Sequence, residues 1–335
     1  MMSEKPTAVL WGNPSRLPLV YPKPVLDRLH AMVAIAGLSP DAEAAPSPAE
    51  PPDETRIVLG TWGLRRIDDP LLARLPNLEA LFYGAGTIRG FVSDALWERG
   101  VPIVSSAYAN AIPVVDYTVS VILLGLKRFW SSAIEYKQLR KRPPTSERGP
   151  GNYRAVVSLI SFGQVARLVA ERLKALGMHV LVYDPFLDEA AATSAGVEKV
   201  GLEEAFESGD VVSLHTPKLE ETIGLIGQEH FGRMRPDTLF VNTSRGAVVR
   251  EQEMIRFLEA RPDVQAVLDV THPEPPEPES PLYDLPNVVL TPHIAGSLGR
   301  ECERMGALVA DELERFLRGE PLRHAVTREQ ARLQA

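Results

Sequence analysis

A chain of 335 residues is long enough to build two domains of ordinary size, and 44% hydrophobic with 24% charged residues is the composition of a soluble globular protein. A net charge of −8 argues against a nucleic-acid or anionic-membrane partner, since either needs a basic face. The single cysteine, Cys302, excludes an internal disulfide framework and a cysteine-rich metal site; no metal is expected, and the setting that fits is a reducing cytoplasm.

No signal-like apolar run opens the chain, and no stretch is expected to span a membrane; the apolar residues 114–126 are interrupted by Asp116 and too few. Residues 7–107 alternate between short β-rich runs (8–11, 56–60, 80–83 and 102–104) and helical spacings (25–33, 69–75 and 93–99). That alternation implies a parallel sheet with helical cover. The tract 44–53, rich in proline, alanine and acid, reads as a surface loop. Gly84-Ala85-Gly86 follows the run 80–83, and its two glycines let backbone N–H groups approach a ligand closely. An ordinary glycine turn explains the spacing equally well.

Residues 111–129 read as one long helix with proline in its first turn, where a missing N–H is harmless. Its wide apolar stripe marks it as a buried or interface helix. Residues 139–152 then read as a loop or arm. From Ala155 the pattern becomes strand (156–162), helix (163–176) and strand (178–183), closed by Asp184 about 20 residues beyond the turn. This is the layout of a dinucleotide site, with pyrophosphate at the helix N-terminus and an acid on the ribose. The expected G-x-G-x-x-G reads Ser161-Phe-Gly163-Gln-Val-Ala166. Alanine in the last place still allows close helix packing; serine in the first is a departure, because the tight turn prefers glycine. With Asp184 and no nearby arginine, NADH is expected over NADPH.

Residues 210–217 form another buried run ending in His215-Thr216-Pro217. Three more follow, each just before a polar residue: 238–242 before Arg245, 264–270 before Glu274, and 288–291 before His293. In an open parallel sheet, strand C-terminal ends line the ligand crevice. Any one of the three is most simply a residue satisfying its neighbours. Together they supply a fork for a carboxylate or carbonyl, an imidazole that moves a proton near neutral pH, and a carboxylate that orients it.

The segments Val241-Asn-Thr-Ser-Arg-Gly246, Leu268-Asp-Val-Thr-His-Pro-Glu-Pro275 and Leu290-Thr-Pro-His-Ile-Ala-Gly296 resemble the signatures of the D-isomer-specific 2-hydroxyacid dehydrogenases. The likeness runs from about residue 78 to the last helix and is strongest over 205–296. It implies an α/β protein of two doubly wound parallel-sheet domains. A Rossmann cofactor domain (108–296) is inserted into a flavodoxin-like substrate domain (1–107, completed by 297–335). It further implies that Arg245 binds and polarises a 2-oxo acid, that His293 is the proton donor or acceptor, and that Glu274 pairs with it. Ala85 and Gly86 would offer amides to the substrate carboxylate. Ser161, Gly163, Gln164, Val165, Asp184, His215, Thr216, Pro217, Thr243, Asp269 and Gly296 would line the NAD site.

The same resemblance implies a homodimer, and a final helix over 297–317 that packs on the first domain with Cys302 as a small core residue. Thr271 stands where the family usually has an aromatic residue. His272, two residues before Glu274, reads by default as an exposed loop histidine. The expected activity is NAD-dependent interconversion of a small 2-oxo acid and its D-2-hydroxy acid. The alternative is a nucleotide-responsive binding protein or corepressor of the same fold, with little turnover.

Overall fold

The computed structural model describes residues 5–143 and 149–333. The chain separates into two compact units, Met1–Ala111 with Ser297–Gln334, and Ile112–Gly296. The first seam thus lies slightly beyond the 107/108 junction expected from sequence.

In the first unit, β1 (Thr7–Trp11), β2 (Ala34–Ile35), β3 (Thr55–Gly60), β4 (Ala80–Tyr83) and β5 (Ile103–Ser105) form a parallel sheet in the order β2-β1-β3-β4-β5. β4 is buried throughout and β3 everywhere but Arg56, because a parallel sheet is covered on both faces. The helix Glu303–Leu317 belongs to this unit and turns Met305, Leu308, Val309 and Leu313 onto one buried stripe. It packs so closely that a Cβ on Gly306 would lie 1.8 Å from the Val20 carbonyl oxygen. Cys302 is buried in the same core, and burial pushes its thiol pKa up, as suits an inert core residue. The tract read as a surface loop is tethered: Ser47 Oγ accepts from Leu10 N at 2.9 Å and donates to Ala36 O at 2.7 Å.

In the second unit, β6 (Val156–Ile160), β7 (His179–Tyr183), β8 (Glu198–Lys199), β9 (Val211–Leu214), β10 (Leu239–Asn242), β11 (Gln265–Leu268) and β12 (Val288–Leu290) make a parallel sheet in the order β12-β11-β10-β9-β6-β7-β8. Between β6 and β9 the order of the chain reverses across the sheet, which is the switch point of a dinucleotide-binding fold. The helix Gln164–Ala175 covers one face with Ala166, Val169, Ala170 and Leu173, spaced to share a stripe.

The long helix differs from expectation. It runs Ala107–Gly125, so Pro113 lies inside it rather than in its first turn. At 19 residues it is long and apolar enough to cross a membrane by length and composition, which corrects the sequence reading. Val115, Val119, Val121 and Ile122 are nonetheless buried in the second unit's core. A separate helix, Phe129–Leu139, follows. The break comes at Arg128, whose φ of +51 is left-handed and cannot continue a right-handed helix. Its buried guanidinium is held by Asp237 Oδ1 at 2.7 Å and Asp263 O at 2.8 Å. The arm expected over 139–152 therefore begins beyond this helix, and 144–148 lie outside the described residues.

Candidate active site

The switch point of the second unit gathers the residues expected at the cofactor. Ser161, the first residue past β6, has φ +75. Its N–H donates to Tyr183 O at 2.7 Å, and its hydroxyl to Thr216 Oγ1 at 3.1 Å, which in turn donates to Ile160 O at 3.2 Å. Gly163 is the N-cap of the helix Gln164–Ala175 and supplies no side-chain cap, so the first amides, including Gln164 and Val165, lack an internal acceptor. A Cβ on Gly163 would meet nothing within 4 Å; the space over the turn is open. Uncapped N–H groups at the positive end of a helix suit an anion such as a pyrophosphate. Ala166 is buried at the third fingerprint place, as close packing there demands.

Asp184, just past β7, accepts Phe162 N on Oδ2 and Phe186 N on Oδ1, both at 2.7 Å. One amide per oxygen locks the carboxylate to the turn and leaves lone pairs for hydroxyl donors. His215 follows β9, partly buried, with Nε2 3.1 Å from Ser213 Oγ. Burial pulls its pKa down to about 4, so the ring is neutral near pH 7. Thr216 is buried beside it and Pro217 partly so. Thr243 lies just past β10, with Oγ1 3.0 Å from Thr118 Oγ1.

Arg245, Glu274 and His293 follow the next three strands, β10, β11 and β12. Buried Asn242 ends β10 and builds the Arg245 turn: its Oδ1 accepts the N–H and the hydroxyl of Ser244, each at 3.0 Å, while its Nδ2 donates to Arg245 O at 3.2 Å. Arg245 Nη1 donates to Ser244 O at 2.6 Å, and among the described residues no ion pair neutralises its guanidinium. Burial lowers its pKa, and the nearby Glu274 charge opposes that shift. A half-desolvated guanidinium of this kind suits a carboxylate or carbonyl ligand.

His293 Nδ1 lies 2.6 Å from Glu274 Oε1, and both side chains remain accessible. With Nδ1 turned to the carboxylate, Nε2 is the ring nitrogen left for another partner. The Arg245 and Glu274 segments press together, since a Cβ on Gly246 would lie 2.0 Å from the Thr271 carbonyl carbon. His272 is exposed, as the sequence suggests; its backbone N–H is what the fold uses, donating to Glu251 Oε2 at 2.8 Å.

Asp269 follows β11 and is buried. Its carboxylate accepts the Thr291 hydroxyl at 2.6 Å, Ile294 N at 2.8 Å and Ala295 N at 2.9 Å, so within the chain it holds the loop that carries His293. His293 itself has φ +54 and donates its N–H to Asp269 O at 3.0 Å. Gly296 ends this loop. Tyr117 OH lies 2.8 Å from Thr291 Oγ1, extending the support to the long helix. Sequence reasoning missed Asn242, Thr291 and Glu251 as supports. For Asn242 the signal was available, as a polar side chain closing an apolar strand.

Ala85 and Gly86 belong to the first unit, just past β4. Their carbonyls accept the Ser105 hydroxyl at 3.2 and 2.5 Å. Gly84 is required there, because a Cβ would meet the Tyr21 hydroxyl at 2.7 Å. Buried Tyr83 packs on Phe91 at 4.5 Å, and burial pushes its pKa up to about 12.

The family model described as D-isomer specific 2-hydroxyacid dehydrogenase, NAD binding domain matches residues 119–295. The chain is 38% identical over 258 residues to a glyoxylate reductase from Korarchaeum cryptofilum, covering 76% of this chain and 77% of that protein. It is 32% identical over 265 residues to a D-3-phosphoglycerate dehydrogenase from Archaeoglobus fulgidus, covering 78% of this chain and 49% of that one. The chain thus spans about half the length of that curated relative. In fold it is similar to the crystal structure of a phosphoglycerate oxidoreductase from Rhizobium etli, with a TM-score of 0.80 at 21% identity, covering 97% of this chain and 99% of that one.

Proposed function

Because the chain belongs to the D-isomer specific 2-hydroxyacid dehydrogenase family, we propose that it interconverts a small 2-oxo acid and its D-2-hydroxy acid with NAD as hydride carrier. The observation that carries this reading is the 2.6 Å bond between His293 Nδ1 and Glu274 Oε1, on the sheet edge that also presents Arg245, within reach of the Glu274 charge. When bound, NADH supplies the hydride to C2 of the substrate. Arg245 then holds the substrate carboxylate and polarises the carbonyl, stabilising charge that develops on its oxygen. His293 donates the Nε2 proton to that oxygen, and Glu274 keeps the imidazole oriented. In oxidation the same nitrogen takes the proton back.

The residues present fit the cofactor. The uncapped N–H groups of Gln164 and Val165 beside Gly163 suit the pyrophosphate, and Asp184 suits the adenosine ribose hydroxyls and disfavours a 2′-phosphate. The acidic chain with one buried cysteine supports a cytoplasmic protein without nucleic-acid or membrane partners. We read it as a homodimer, supported by the helix Phe129–Leu139, which leaves Phe129, Tyr136 and Leu139 exposed on one face.

The test is NADH oxidation, followed by absorbance, against a panel of 2-oxo acids that includes glyoxylate, hydroxypyruvate and pyruvate, with NADPH alongside. Turnover with one acid and NADH is expected. His293→Ala should lower kcat on the order of 10²–10⁴-fold with NADH affinity retained. NADH binding by calorimetry without turnover of any acid would overturn the dehydrogenase reading in favour of a nucleotide-responsive binding protein.

A further inference from the structure

Glu251 opens the helix Glu251–Ala260, shortly beyond Arg245, and has no place in the chemistry above. It is partly buried, and burial pushes its carboxyl pKa up against the opposing pull of the His272 amide. Among the described residues no ion pair involves it. The adjacent cation is committed elsewhere, since Arg250 pairs with Glu229 and with Glu253. A carboxylate in a first helical turn commonly caps its own helix or simply favours the dipole. This one reaches out of the helix, and its Oε2 accepts His272 N at 2.8 Å.

His272 stands two residues before Glu274, the partner of His293. We propose that Glu251 is a positioning residue: by fixing the His272 peptide it sets where the Glu274 carboxylate meets His293 Nδ1, and so governs the proton affinity and orientation of that imidazole. The two halves of the pair then have separate anchors, each a carboxylate that accepts backbone N–H groups. Asp269 holds the His293 side through Ile294 and Ala295, and Glu251 holds the Glu274 side through His272. A hydrogen bond to a charged acceptor is among the stronger ones available to a loop, and a hydrogen bond as short as 2.6 Å is sensitive to small displacements. The inference rests on reading His293 and Glu274 as the acid–base pair.

The experiment uses the full chain and three variants, Glu251→Ala, Glu251→Asp and Glu251→Gln. The readouts are the His293 ring titration by NMR, kcat as a function of pH, NADH affinity and the melting temperature. Removing or shortening the acceptor, in E251A and E251D, is expected to lower the His293 titration midpoint by about half a pH unit or more and kcat about tenfold, with NADH affinity within about twofold of wild type. E251Q, which keeps an acceptor oxygen at the same reach, should recover most of both. A wild-type midpoint and kcat in E251D overturns the proposal, including in the event that E251A fails to fold. Losses in all three variants that follow the melting temperature would assign Glu251 a merely structural role and overturn it too. If the wild type reduces no 2-oxo acid, the functional reading fails, while the His293 titration still decides whether Glu251 controls the pair.

Discussion

Ser161 holds φ +75, a left-handed backbone that costs an L-residue about 1–2 kcal/mol. Glycine would remove that strain, yet return about 0.5–1 kcal/mol through the freedom it adds to the unfolded chain. It would also lose the hydroxyl bond to Thr216 at 3.1 Å, a contribution of about 0.5–1.5 kcal/mol. The terms nearly cancel, which explains how serine occupies a turn where glycine is usual. Ser161→Gly is therefore expected to change stability by less than about 1 kcal/mol in the wild type, but to stabilise by roughly 1 kcal/mol more in a Thr216→Val background, where the bond is already gone. Urea unfolding of the four proteins tests this; strictly additive effects would mean that the hydroxyl pair offsets nothing. His215, at the neighbouring strand end, predicts a pH effect. Its pKa is about 4 in the folded chain against an ordinary 6.5, so between those values the unfolded chain binds a proton that the native one refuses. Its contribution is fully present above pH 6.5 and is lost as pH falls toward 4, by at most roughly 3 kcal/mol. His215→Gln should flatten that part of the stability–pH curve in urea titrations at pH 7 and pH 5; an unchanged slope would show that the ring is solvated.

At the scale of elements, the strand ends were readable and their supports were not. β6, β9, β10, β11 and β12 are short apolar runs, and the polar residue after each announced itself against that background, so Arg245, Glu274 and His293 could be assigned to one edge from the sequence. The bonds that hold those side chains in place join segments far apart in the chain. Asp269 reaches Ile294 and Ala295, and Glu251 reaches His272; a side chain accepting a distant backbone N–H leaves no periodic trace. The helix boundaries failed for a related reason. Nothing in the composition of 107–139 marks Arg128 as left-handed; what fixes it there is Asp237 and the Asp263 carbonyl, more than a hundred residues on. Thus the helix read over 111–129 ends earlier, the helix Phe129–Leu139 was not read at all, and Pro113 was placed in a first turn it does not occupy. The damaged glycine fingerprint was legible as a departure, whereas its remedy, the Ser161–Thr216 hydroxyl pair, needed the fold to bring β6 beside β9.

For the whole molecule, the decisive surface is the one left behind by that misread helix. Phe129–Leu139 buries no residue within the chain, and Phe129, Ile134, Tyr136 and Leu139 are each 45–59% exposed. Scattered apolar side chains on a surface are ordinary, but Phe129, Tyr136 and Leu139 share one face of a short helix, a patch of the kind that marks an interface. Trp130 anchors one side of this eleven-residue helix on the core of the second unit and Gln265 Nε2 donates to Ser131 Oγ at 2.7 Å, while the side with Phe129, Tyr136 and Leu139 stays uncovered. In the proposed homodimer a second copy of the chain would cover that face symmetrically, patch against like patch. Phe129, Tyr136 and Leu139 lie on one side of the helix at spacings of about one and two turns, with Tyr136 the most exposed. Tyr136→Asp would put a charge into the centre of that contact. The wild type is expected to sediment as a dimer at micromolar concentration, and the variant to dissociate with a Kd raised about 30-fold, or about 2 kcal/mol. Because the pair Glu274–His293 and the Arg245 turn are built within one chain's second unit, the Tyr136→Asp monomer should still bind NADH. Sedimentation velocity combined with NADH titration checks both halves. A wild type that sediments as a monomer would sink the homodimer and leave the apolar face to a different partner, and a dimer indifferent to Tyr136→Asp would put the interface elsewhere on the surface.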